Sequence, residues 1–191
     1  MEQPPYDARS VANLLLDLAE NDPSINQPVT HIALQKLVYF AHGRFLIETQ
    51  VPLVKGAFEA WRYGPVHPAI YDAFKEAGPH PIKSRATARD VFSGEKRPLP
   101  LPSHPLVREH LRDILRAYGK LSVGRLVDIS HAPNGPWATI VNKAATSVAL
   151  GMRIPDSITI SQFKYQKISV EPRTRVGEPD EDTPFVGDRF S

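Results

Sequence analysis

The chain reads as a mostly α-helical, compact single domain with a short extended arm as its minor β component. Three observations predict this. Apolar residues recur at helical spacing in several segments, for example Val11, Leu14, Leu15 and Leu18, and later Val107, Leu111, Ile114, Leu115 and Tyr118. Residues that start helices stand just ahead of those stripes, among them Asp7, Thr30 and Ser122. Only Ala57–Tyr63 has the aromatic, alternating character of a strand near the middle of the chain. A length of 191 residues suits one globular body with appendages. The expected division is a domain over residues 1–170 and a flexible, acidic tail over 171–191.

The elements follow in order. A first helix is expected from about Ala8 to Glu20, capped by Asp7 and stopped by Asn21-Asp22-Pro23. A second runs from about His31 to Glu48 behind Thr30. Its stripe is Leu34, Leu37, Val38 and Ala41. After a loop over 50–55 comes the extended arm, ending in a Gly64-Pro65 turn. Pro68 suits the first turn of a third helix, with Ile70, Ala73, Phe74 and Ala77 inward and Gly78 as its end. Residues 79–103 break the pattern. This stretch holds Pro79, Pro81, Pro98, Pro100 and Pro102 with Lys83, Arg85, Arg89, Lys96 and Arg97, and reads as a basic, Pro-rich insert. It is either a surface excursion or a variable contact loop. A fourth helix begins at Ser103-His104-Pro105 and ends near Gly119. A short fifth, behind Ser122, buries Leu126, Val127 and Ile129, and another opens at Pro136-Trp137. Ile154–Ile160 reads as a small strand or extended link, followed by a last short helix near Ser161–Lys167.

Composition excludes several classes. There is no cysteine, hence no disulfide scaffold, Cys-ligated metal or thiol nucleophile. That fits a reducing compartment, and a cytoplasmic location is expected. No apolar run approaches the roughly 20 residues of a membrane span, and Met1-Glu2-Gln3-Pro4-Pro5 lacks the layout of a secretory signal. The net charge is +2, but residues 171–191 hold six acidic and three basic groups, so the tail carries −3 and the rest +5. The seven histidines show no i, i+4 metal spacing around a glutamate, and there is no phosphate loop and no nucleophile elbow. No enzymatic activity, cofactor or metal is expected.

Two segments concentrate the remaining interest: Leu34–Gly43 and Phe58–Val66, which gather aromatic rings near Lys36, His42 and Arg62. Lys36 lies about 200° from Leu34 around the helix, away from the stripe. It reads as a solvated lysine or an anchor for a carboxylate. His42 reads as a ring packed in a helix crossing that Gly43 allows to close, or as a partner contact. Trp61 and Trp137 read as core before interface. Arg62 could stack on a ring or pair with Glu59 or Glu48. Lys36 and Arg62 are expected to keep their charged ends accessible, with Leu37, Phe40, Ala41 and Trp61 buried.

These two segments resemble the Panacea domain of SocA-like antitoxins, also called phage-associated GepA-like. The resemblance rests on Leu34-Gln35-Lys36-Leu37-Val38-Tyr39-Phe40-Ala41-His42-Gly43 and on Glu59-Ala60-Trp61-Arg62-Tyr63-Gly64-Pro65-Val66-His67-Pro68. Weaker matches in the same order are Ala12-Asn13-Leu14-Leu15-Leu16, Leu126–His131, Pro136-Trp137 and Ile158–Phe163. The likeness covers roughly residues 8–167, and the insert at about 79–103 departs from it.

The resemblance implies a helical antitoxin of a toxin–antitoxin system, without catalytic residues. Its partner would be a cognate toxin, neutralised by protein–protein contact. Some members act like proteolytic adaptors, which adds an ATP-dependent protease as a second implied partner. Lys36, His42, Arg62, Tyr63, Gly64 and Pro65 are the partner-binding candidates, and Leu37, Tyr39, Phe40, Ala41, Trp61 and Trp137 the motif core. The alternative is a nucleic-acid-binding regulator of its own operon or of a phage-related gene. A body charge of +5 over 170 residues is weak support for it, and no helix clusters Arg, Lys, Asn and Gln on one face.

Overall fold

Helix α2, His31–Thr49, is the axis of the molecule. The computed structural model describes residues 3–90, 92–146 and 152–166. Around α2 stand α1 (Ala8–Glu20), α3 (Pro68–Phe74), α4 (Pro105–Tyr118), α5 (Val123–Ser130) and α7 (Asp156–Gln162). Helix α6 (Pro136–Thr146) packs against α7 and a small sheet. That sheet is antiparallel, in the order β2-β1-β5, from β1 (Phe58–Trp61), β2 (Gly64–Val66) and β5 (Arg153–Ile154). The architecture is therefore mostly α, with two small sheets.

Helix α1 starts where Asp7 accepts from the Arg9 backbone N–H, and α2 where Thr30 accepts from that of Ala33. Ser122 caps α5 in the same way. In α1, Val11, Leu14 and Leu15 are buried, while Leu18 lies at the margin. The five apolar residues named for α4 are all in the core. Helix α2 is buried on every side up to Gly43, so His31, Gln35, Lys36 and His42 are as enclosed as Leu37, Tyr39 and Phe40, and only its last turns reach the surface. A helix that sits at the centre has no solvent face on which to place its polar residues.

Four local expectations are corrected. The arm is one half of a hairpin: its turn is Arg62-Tyr63, and Gly64-Pro65 belongs to the second strand. Glycine fits there because Gly64 has φ of +104° while neither tip residue has a positive φ. On α3, Ile70 and Phe74 are buried but Ala73 is exposed, and Ala77, in the 3-10 turn Lys75–Ala77 that follows, is only half-buried. The stretch 154–160 is strand only at Ile154. It then turns into α7, which starts at Asp156 rather than near Ser161.

The insert carries the fourth correction. It forms a second hairpin, β3 (Thr87–Arg89) with β4 (Lys96–Pro98), and its entry limb is tied to the body. Ile82 and Ala86 are in the core. The Asn13 side chain donates to the Ala86 carbonyl (2.9 Å) and accepts from its N–H (2.8 Å). Arg85 pairs with Asp17 and Glu20, each at 2.7 Å. The tail over 171–191 lies outside the described residues.

Candidate interaction site

The β1–β2 hairpin is held from four sides, by Lys36 and Gln35 of α2, by Ser130 of α5 and by Trp137 of α6. Lys36 donates its Nζ to the Pro65 carbonyl at 3.1 Å. The Gln35 amide completes the ladder beyond β2, accepting from the His67 N–H at 2.9 Å and donating to its carbonyl at 3.3 Å. Pro65 has no N–H, and it sits on the edge strand, where a missing donor costs no ladder bond. A Cβ on Gly64 would collide with Ser130 Oγ and stand 3.1 Å from Lys36 Cε, so α5 and α2 close on this glycine directly. Trp137 Nε1 donates to the Trp61 carbonyl at 2.8 Å.

Rings complete the support. Phe58 stands between Tyr39 (5.2 Å between centroids), His42 (5.4 Å) and His67 (5.3 Å) on the inner face. Trp61 leans on Tyr71 of α3 at 4.8 Å, and Tyr71 on His31 at 5.3 Å. Burial pulls the His31 imidazole down to about 4, helped by the Lys36 charge, and burial lowers His67 as well.

The six candidates separate. Lys36 is 0% exposed and His42 2%, and Gly64 and Pro65 are buried. The expectation of an accessible Lys36 is wrong, because the face opposite its stripe meets the hairpin and α5 rather than water. His42 Nε2 lies 3.2 Å from Asp156 Oδ1, and next to it Gly43 takes the Phe163 ring against its backbone. This is the helix-crossing reading. Arg62 is exposed and Tyr63 half-buried, with the guanidinium 5.5 Å from the Tyr63 ring centroid. Arg62 does not pair with Glu59, whose carboxylate accepts from Trp61 Nε1 at 3.0 Å. Of the motif core, Leu37, Tyr39, Phe40 and Ala41 are fully enclosed, Trp61 is 9% exposed and Trp137 is half-buried.

Sequence reasoning missed Asn13 and Gln35, whose amides each serve both backbone groups of one residue. A signal existed for Gln35, an amide beside the apolar stripe of Leu34, Leu37, Val38 and Ala41, where a buried polar group needs partners. Asn13 gave none beyond its place in the weaker Ala12-Asn13-Leu14-Leu15-Leu16 match.

The family model for "Antitoxin SocA-like, Panacea domain" matches residues 34–138. That span opens in α2 just before Lys36 and closes just after Trp137, so it contains the hairpin and all four of its holds. The chain is 43% identical over 178 residues to a protein of Caulobacter vibrioides (strain NA1000 / CB15N) named Antitoxin SocA, covering 93% of each. No solved structure matches the chain. A matching family model over more than half the chain, and a near full-length relative, place this protein in the SocA-like, Panacea-domain family of antitoxins.

Proposed function

We propose that the protein acts in the cytoplasm as the antitoxin of a toxin encoded beside it, neutralising that toxin by direct contact and without catalysis. The observation that carries this reading is the hairpin. Enclosed motif residues, among them Gln35, Lys36, Gly64 and Pro65, are spent on fixing a two-residue tip of which Arg62 is exposed and Tyr63 half-buried. A rigid support lets Arg62 and Tyr63 dock with little loss of conformational entropy, and Arg and Tyr are favoured anchors. Lys36, His42, Gly64 and Pro65 then contribute through the shape of the hairpin rather than by touching the partner. The insert over 79–103 adds a second exposed hairpin that can tune specificity.

Co-expression with the adjoining gene tests the proposal. The adjoining product alone should arrest growth, co-expression should restore it, and the two proteins should co-purify. Arg62→Glu with Tyr63→Ala should weaken rescue without changing the melting temperature. Toxin abundance separates two modes: simple occupancy leaves it unchanged, and delivery to an ATP-dependent protease lowers it. A harmless neighbour, or rescue without association, would remove the proposal and bring the nucleic-acid reading forward.

A further inference from the structure

Phe92, at the tip of the β3–β4 hairpin, is 100% exposed, more than any other large apolar side chain among the described residues. Its backbone is held in place. Asp90 Oδ1 accepts from the N–H groups of Phe92 (3.0 Å) and Ser93 (2.9 Å), and Gly94 turns the chain with φ of +70°. Below the tip, Arg89 stands directly opposite Lys96, two like charges on one face of the hairpin, which is an unfavourable pairing. Neither has a carboxylate partner among the described residues, whereas Arg97 lies 3.6 Å from Asp90 and 3.7 Å from Glu95.

A cavity of complementary character lies between the end of α2 and the start of α4. It measures about 400 Å³, and Phe45, Leu106 and Val107 supply its apolar lining. Leu106 is itself 73% exposed. Glu48, Glu109 and Asp113 also line the cavity, and no Lys or Arg does. The arginines that hold these acids, Arg44, Arg112 and Arg116, stand outside the lining. Ile47, Val51 and Leu101, each 38% exposed, lie within three residues in sequence of that lining. Five of the seven large apolar side chains exposed among the described residues therefore belong to the hairpin tip or to the neighbourhood of this cavity. Scattered singly they would mean little, but concentrated on two features they mark a surface that is covered.

We propose that the chain pairs with a second copy of itself by exchange. Phe92 of each copy enters the cavity of the other, and Arg89 and Lys96 meet the carboxylates of its lining. Entry removes the ring and the Leu106 side chain from water, and the cross-strand cations gain charge-assisted partners. The positions allow both contacts at once. Gln3 and Pro4 line the cavity, while Arg9 donates to the Thr87 carbonyl at the base of the hairpin, at 3.4 Å. Both features adjoin residues 3–9, so one two-fold axis can serve both contacts and close the assembly at two copies. A second copy is favoured over nucleic acid or an anionic bilayer because Asp90 and Glu95 flank the ring, and a phosphate surface would meet those acids first.

Sedimentation of the full chain, with no partner added, tests this. Wild type should pass from a 21.3 kDa monomer to a dimer of twice that mass as its concentration is raised. Phe92→Ser and Leu106→Glu should each weaken dimerisation by roughly tenfold or more. Both positions are exposed, so at dilutions where every form is monomeric the two variants should keep the wild-type urea midpoint. An equimolar mixture of the two should associate more tightly than either alone, because the ring of Leu106→Glu still finds the cavity of Phe92→Ser. A dimer that ignores both substitutions, or a mixture no tighter than its components, overturns the exchange. A wild type that stays monomeric at every concentration overturns it as well. If Phe92→Ser then weakens binding to the product of the adjoining gene, the ring is an anchor for the toxin instead.

Discussion

Lys36 carries its ammonium to the meeting point of α2, β2 and α5, where nothing of it reaches solvent. A lysine is kept in such a place only when the group it serves needs it, because an uncompensated buried charge is very costly. One group it serves here is the Pro65 carbonyl. Lys36→Met retains most of the side-chain volume but leaves that carbonyl without its donor. The expected loss is about 2 kcal/mol, the scale of an unsatisfied buried acceptor that had a charged partner. Arg62→Glu, at the exposed tip, should stay within about 0.5 kcal/mol. Urea unfolding of the two variants side by side decides the matter: equal losses would mean that Lys36 does not hold the strand. The same contrast limits which residues can probe an interface, since a change at Lys36 reports on folding before it reports on binding.

Among the elements, those with a cap and a one-sided apolar stripe were legible in the sequence. The bounds of α1 and the start of α2 follow from Asp7 and Thr30, and α4 shows all of its buried residues in its 3.6-residue period. What stayed hidden depends on contacts distant in sequence. Strand β2 is three residues long and exists because Gln35 and Lys36 complete it from another element. Helix α7 is seated by Phe163 on Gly43 and by Asp156 beside His42, more than 100 positions away in the chain. The candidate site was half legible for the same reason. Motif spacing located the hairpin, but a helical wheel cannot mark Lys36 as buried when that part of α2 has no outer face, and Arg62 is exposed because the turn falls at Arg62-Tyr63 rather than at Gly64-Pro65. The insert looked like pure surface because its composition is basic and Pro-rich, yet Asn13 and Arg85 tie its entry limb to α1. Trimming only the tip, residues 92–94, to a short Gly/Ser bridge should therefore leave stability nearly unchanged. Asn13→Ala should cost about 2–4 kcal/mol, because both backbone groups of Ala86 lose their partner in the core. Thermal melts of the two variants check this. A fully stable Asn13→Ala protein would show that the limb is not anchored there.

For the molecule as a whole, centring the fold on one enclosed helix has a consequence for its response to acid. Helix α2 and the strand edge beside it bury His31, His42 and His67, all at 5% exposure or less. His31 is held down to about 4, first by burial and then by the neighbouring Lys36 charge, and its Nε2 has no hydrogen-bond partner among the described residues. His67 is also lowered, chiefly by burial, although its Nε2 donates to the Lys55 carbonyl. In the unfolded chain such a ring takes up a proton near its ordinary value of about 6.5. Between roughly pH 6.5 and 4 the unfolded state therefore binds protons that the folded state refuses, and stability falls as pH falls. Above that window both states are neutral at His31. Below it both are protonated, and His31 adds no further change. For a shift of this size the His31 contribution lost between pH 7.5 and pH 5 is about 2 kcal/mol. His67 adds to it in the same direction. Urea midpoints at the two pH values should fall steeply for wild type. His31→Gln, which keeps a polar side chain under Tyr71 but does not titrate, should flatten the fall by about that amount. An unchanged slope would mean that His31 accepts its proton while folded, and that the centre of the molecule is open enough to solvate it.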